Sequence, residues 1–284
     1  MALRVRRVVA LLAVLAAGCM ATRSEDGEAV VRLVPAPALT SKPEPKYRWR
    51  DCLGQPYSEA FRKSFDYRDA EVNVRFSRRA AVFRGTIVAR KLKPNFAYQV
   101  KLVGMPPSLW GRRGDAFSNR AIGDLGRWWK PGPDARNAYY IERDEDKDLM
   151  EGYLVIGYFV TDAEGKAAAS FAAENSFHVL WRTSQWPKGA DDSAPTRHPI
   201  VARAGSYGYD RDFPDGELEL YAEAERGRPP IGKALLPPGR YRCFFLLTEE
   251  SFHDYLNPDG GDWAAALAAI VEFVITVDFP NRSP

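Results

Sequence analysis

The sequence is short of the residues that most often carry chemistry. Its 284 residues include three histidines (His178, His198, His253) and three cysteines (Cys19, Cys52, Cys243). No serine sits in a Gly-x-Ser-x-Gly elbow. Ser206, in Gly205-Ser206-Tyr207-Gly208, is the nearest approach, so a serine hydrolase has no support. Neither a Gly-x-Gly-x-x-Gly turn nor a Walker loop is present, which removes the usual phosphate cradles. The apolar stretch Val8–Ala17 falls well short of the roughly 20 residues needed to cross a bilayer as a helix. No cofactor is expected.

Charge of one sign is lacking too. Lysine and arginine total 40 against 37 acids, but Arg4, Arg6 and Arg7 precede Cys19 and no acid does. Without them the basic count falls from 40 to 37 and matches the acids. A neutral domain lacks the cationic excess that drives phosphate contact, so nucleic acid is excluded as a partner.

What is present begins at the N-terminus. Three arginines, the apolar stretch Val8–Ala17 and then small residues make a secretory signal. The small residues lead into a cysteine: Leu15-Ala16-Ala17-Gly18-Cys19. This resembles the lipobox of bacterial lipoproteins, with Ala16 where that family most often has leucine. The resemblance implies cleavage after Gly18 and lipid on Cys19, an anchor whose acyl chains contribute about 0.8 kcal/mol per buried CH₂. Met20, rather than an aspartate, follows the cysteine and points to the outer membrane, facing the periplasm. Residues 1–18 are therefore expected to be signal. Residues 19–46, with Pro35, Pro37, Pro43 and Pro45, are expected to be an extended tether, and residues 47–284 the domain.

Within the domain, apolar residues alternate through Phe96–Leu102, Val72–Phe76, Leu218–Leu220 and Val271–Val277, which is strand periodicity. Gly152–Thr161 is apolar on both faces and suits a central strand. The turn Asp162–Gly165 and the run Ala167–Phe171 follow it, and together they predict a hairpin. Phe177–Trp181 and Tyr241–Leu247 add further strands. Leu92-Lys93-Pro94-Asn95-Phe96-Ala97-Tyr98 resembles the tyrosine corner of fibronectin type III and related immunoglobulin-like domains, and Leu236-Pro237-Pro238-Gly239-Arg240-Tyr241 is similar to the lead-in to a terminal strand there. The expected fold is all-β, one immunoglobulin-like β-sandwich with long inserted loops at 106–150 and 186–215; two small sandwiches are the alternative.

Candidate sites follow. Cys52 and Cys243 form an even pair once Cys19 carries lipid, so they form either a disulfide or two separate buried thiols; zinc needs more ligands than these. Thr248 looks like a helix cap, and a helix through Glu249-Glu250-Ser251-Phe252-His253 would put Glu249 and His253 on one face, able to share a metal or a proton. Asp144, Asp146 and Asp148 alternate as calcium ligands do, without the glycine of an EF-hand loop. Trp128, Trp129, Trp181 and Trp186 would make an aromatic surface for a ligand if exposed. Three readings result. The first is a non-catalytic binding or scaffold module, anchored in the envelope, that engages an envelope protein through its inserts. The second is a metal-binding protein or metal-dependent hydrolase using Glu249 and His253. The third is glycan or peptidoglycan binding through Trp128, Trp129 and Trp186.

Overall fold

The computed structural model describes residues 27–36, 48–130, 136–138, 144–174, 177–182, 196–224, 235–250 and 263–276, with backbone alone at 136–138, 144–145, 177–182, 221–224 and 263. In chain order its elements are β1 (Glu28–Arg32), β2 (Val34–Pro35), α1 (Glu59–Ser64), β3 (Glu71–Ser77), β4 (Arg79–Ala80), β5 (Arg84–Arg90), β6 (Ala97–Val103), α2 (Pro107–Trp110) and α3 (Ala116–Leu125). They continue with β7 (Arg127–Lys130), β8 (Arg136–Ala138), α4 (Asp144–Lys147), β9 (Glu151–Val160), β10 (Ala167–Ala172), β11 (Phe177–Arg182), β12 (Thr196–Ile200), β13 (Gly216–Ala224), β14 (Gly239–Glu250) and β15 (Trp263–Ile275).

The fold is all-β and sandwich-like, built from three sheets. A four-stranded sheet runs β1-β3-β5-β10, and a three-stranded sheet runs β11-β13-β12. Between them lies an eight-stranded sheet, β2-β15-β14-β6-β9-β7-β8, with β4 beside β15. Alternation explains the layering. Val72, Val74 and Ile87 of the four-stranded sheet pack with Tyr98, Val100, Leu102, Phe245 and Phe273 of the large one. The opposite face of the large sheet supplies Ala97, Val103, Phe244 and Leu246, which pack with Ile200, Leu218 and Leu220 of the third. The middle sheet is thus buried on both faces, as the two-sided apolar character of Gly152–Thr161 implied.

The tyrosine corner forms, and the lead-in to β14 makes a similar contact. Tyr98 Oη accepts the Lys93 N–H at 3.2 Å, and Tyr241 Oη donates to the Pro237 carbonyl at 2.7 Å. Asn95, at the tyrosine corner, takes a positive φ of 49°.

Three expectations are corrected. Residues 19–46 are not all tether, because Glu28–Arg32 pairs with β3 and Val34–Pro35 with β15, burying Ala29, Val31 and Leu33. The prolines nearby obscured that alternation. β9 and β10 do not form a hairpin: β10 pairs with β5, whereas β9 pairs with β6 and β7. The turn between them is pinned to the tyrosine corner by Leu92 N–H to Gly165 O (3.1 Å) and Asn95 N–H to Asp162 O (3.0 Å), so the chain arches from one sheet to the next. The first insert is not a loop either. Its helix α3 is capped by Asp115, whose Oδ1 accepts the Ser118 N–H at 3.1 Å, and its strands β7 and β8 extend the large sheet.

Candidate functional site

Glu249 lies in β14, not in a helix, and Thr248 is therefore no cap. Successive residues of a strand point to opposite faces, so Glu249 and Glu250 are buried on different sides of the large sheet. Glu249 meets Lys93 Nζ at 2.8 Å, Tyr67 Oη at 2.5 Å and Arg48 Nε at 3.4 Å. Lys93 is itself 0% exposed; its Nζ also donates to Arg48 O at 2.6 Å and sits 4.7 Å from the ring centroids of Trp49 and Phe96. Lys93 and Tyr67 both meet its Oε1, while Oε2 has the Arg48 ion pair and no hydrogen-bond partner among the described residues. His253, its proposed companion, lies outside the described residues, as do Cys19 and Trp186.

Glu250 pairs with Lys101 Nζ at 3.2 Å and with Thr248 Oγ1 at 3.2 Å. Burial pushes the carboxyl up and the ammonium down, while each partner opposes the other's shift. Asp51, a third buried acid, accepts the Leu53 and Gln55 N–H groups at 2.9 Å each and the Tyr209 hydroxyl at 2.8 Å. It ties the 51–55 turn to the 201–209 loop, and Asn95 Nδ2 joins the network by donating to Tyr209 Oη at 3.0 Å.

Glu151 has a thinner setting. Trp110 Nε1 donates to it at 3.1 Å, and burial pushes its carboxyl up to about 7. The raised value means that folding favours the protonated acid. That stability is fully present below the unfolded value of about 4.5 and is lost as pH rises through about 7. Urea unfolding should therefore show the wild type losing roughly 3 kcal/mol relative to Glu151→Gln between these limits, at about 1.36 kcal/mol per pKa unit. A parallel pH dependence in both proteins would refute this assignment.

The other sequence candidates separate. Cys52 and Cys243 are both free and buried, and the expected bond is not formed. They sit on opposite faces of the large sheet, Cys243 among the residues packed on the four-stranded sheet and Cys52 among those packed on the third. Trp128 and Trp129 are 0% and 4% exposed, so they are core and not a ligand platform. Trp128 fills the space beside Gly123, where a Cβ would come within 2.5 Å of its ring. Asp144 and Asp146 lie in the short helix α4, and among the described residues no group of three or more His, Cys, Asp or Glu is placed to hold a metal.

The open feature lies elsewhere. A groove of about 880 Å³ runs along β10, between the outward face of the four-stranded sheet and the ends of β9 and β12. Thr86, Ala168 and Ser170 line one side, and Tyr158, Thr196 and His198 the other. Gly85 and Gly157 allow close packing within the fold, where a Cβ would meet Arg75 and Phe171 at the first and Phe171 and Val100 at the second, and the Arg84–Glu174 ion pair (2.9 Å) lies at the groove's margin. Tyr158 Oη and Thr196 Oγ1, 3.3 Å apart, join the large sheet to the third. His198 Nε2 has no hydrogen-bond partner among the described residues, and burial holds this imidazole below its usual range.

Comparison with protein-family models, curated proteins and solved structures finds no significant match. The groove had no local signal in the sequence, because it arises from which strands pair.

Proposed function

We propose that the protein is a lipid-anchored binding module of the bacterial envelope, engaging its partner at the groove along β10. One observation carries the reading. Among the described residues an open groove lies here, whereas Glu249, Glu250 and Asp51 are paired with neighbours within the domain. Clefts lined by apolar surface with a few polar groups are the usual ligand sites. Ile156 and Ala169 supply the apolar part here, and Thr196 and His198 the polar part.

The anchor is carried by Leu15-Ala16-Ala17-Gly18-Cys19, with the outer membrane as destination and the domain in the periplasm. No helix among the described residues is long and apolar enough to cross a membrane. From Cys19 to Gly27 the chain reaches at most about 30 Å, at roughly 3.6 Å per residue. Cys19→Ala should therefore move the protein from the membrane to the soluble fraction and abolish incorporation of labelled fatty acid. Retention of both would remove the anchor from the reading.

Photo-cross-linking in intact envelopes tests the groove. A photoreactive residue at Ala168 should capture a partner, whereas one at Leu149, 59% exposed on the first insert, should not. The reverse pattern would move the contact surface to the insert. Silence at both positions would refute a binding role for either.

A further inference from the structure

We infer that the groove binds an extended polypeptide segment of a partner protein, which adds as a strand to the outer edge of β10. This inference rests on the binding role proposed above and names the chemistry of the partner.

The argument begins with hydrogen bonds. β10 closes the four-stranded sheet and, among the described residues, pairs on one side only, with β5 from Ala167↔Ala89 to Ala172↔Arg84. Its other side presents backbone donors and acceptors at strand spacing, and only another extended backbone matches that ladder. Such an edge also attracts unwanted pairing, so folded proteins blunt it with charge, proline, bulges or brevity.

Other described edges are blunted in these ways. β1 carries Glu28 and Arg32, β2 is two residues long and ends in Pro35, and β8 is three residues long and begins with Arg136. β11 carries His178 and Arg182, and β12 carries Arg197 and Pro199. β10 reads Ala-Ala-Ala-Ser-Phe-Ala and pairs with β5 without a register shift. It shares its lack of charge, histidine and proline with the unpaired stretch Leu154–Val160 of β9, which lies beside it.

The surroundings fit a backbone. Small side chains at Ala168 and Ser170 leave room for a chain to lie close. β9 is paired with β7 only at Glu151–Tyr153, so beyond Tyr153 its outward side has no strand partner among the described residues. The edge is recessed between this stretch of β9 and β12, with Tyr158 and His198 as walls. The six residues of β10 offer about 20 Å of ladder, at roughly 3.3 Å per residue.

The test uses the full lipidated chain in detergent and a capped peptide copying Arg84–Arg90, the sequence that already pairs with β10 on its covered side. Hydrogen exchange should slow about ten-fold or more at those amides of Ala167–Ala172 that face outward. Two further peptides, N-methylated on alternate residues in the two complementary patterns, should divide: one loses binding and the other keeps it. Unchanged exchange at saturating peptide, or equal binding of the two methylated peptides, would overturn strand addition. So would a dimer in which these amides are already protected without peptide, because a second copy would then hold the edge. A partner cross-linked at Ala168 with exchange unaltered by the peptide would leave the binding role standing and remove strand addition. Failure of both measurements would remove both.

Discussion

Lys101→Met loses about 3–5 kcal/mol of stability, and combining it with Glu250→Leu recovers most of that loss. The expectation follows from where the pair sits. Lys101 and Glu250 are 3% and 6% exposed and meet at 3.2 Å, on the face of the large sheet that packs on the three-stranded one. Removing the ammonium leaves a buried carboxylate with only the Thr248 hydroxyl and the more distant Arg127 charge to support it, and breaking a buried pair in this way costs about that much. The double replacement removes the second charge as well. A well-packed apolar pair in such a site is often neutral or stabilising, because desolvation offsets much of the attraction between buried ions. Chemical denaturation of the two single variants and the double one makes a complete cycle. If Lys101→Met costs less than about 1 kcal/mol, the pair is effectively solvated and the description of this face is wrong.

The second large effect is at Trp128. Trp128→Ala should cost about 3–5 kcal/mol, the usual range for emptying a buried tryptophan site. The ring fills the space between α3 and the large sheet. At Gly123 a Cβ would lie 2.5 Å from it, and at Gly152 a Cβ would lie 2.4 Å from the Asn119 carbonyl oxygen, so the helix and β9 approach through glycine. Trp128 Nε1 has no hydrogen-bond partner among the described residues. Trp128→Phe therefore forfeits volume and no hydrogen bond, and it should cost well under half as much as Trp128→Ala. Neither variant should alter capture of a partner at Ala168. Loss of capture by Trp128→Phe at unchanged stability would return this tryptophan to the contact surface.

These two sites also mark how far the sequence could be read. Strands with one exposed face announced themselves through period-two alternation, as Val72, Val74 and Phe76 do. The tyrosine corner and the lead-in to β14 were legible because their contacts are local, Lys93 to Tyr98 and Tyr241 to Pro237. Thr248-Glu249-Glu250 misled because β14 is buried on both faces at that point; alternation vanishes there, and the two acids look like the first turn of a helix. Their partners are distant in sequence. Lys101 and Glu250 lie 149 residues apart, so no spacing rule connects them. The groove was hidden for the same reason. Ala167–Ala172 reads as a good strand, but its outer side has no strand partner among the described residues because the chain arches to pair it with β5 and not with β9. Long-range pairing decided each feature that local pattern could not.

The pairing of β2 with β15 sets when folding can finish. Val34 and Pro35 take Ala268 and Leu267 as their partners, so one of the earliest strands is completed by the last described one. Contacts this far apart in sequence slow folding, because the entropy of closing the loop must be lost before the contact forms. A chain emerging N-terminus first would hold β2 without its sheet partner, and β1 without the large sheet it packs on, until β15 arrives. During that interval the apolar faces of Ala29, Val31 and Leu33 stay open to wrong partners. The late step is therefore expected to be the one most sensitive to temperature and to chaperones, and replacing Ala268 by a bulkier residue should slow refolding by more than it lowers the final stability.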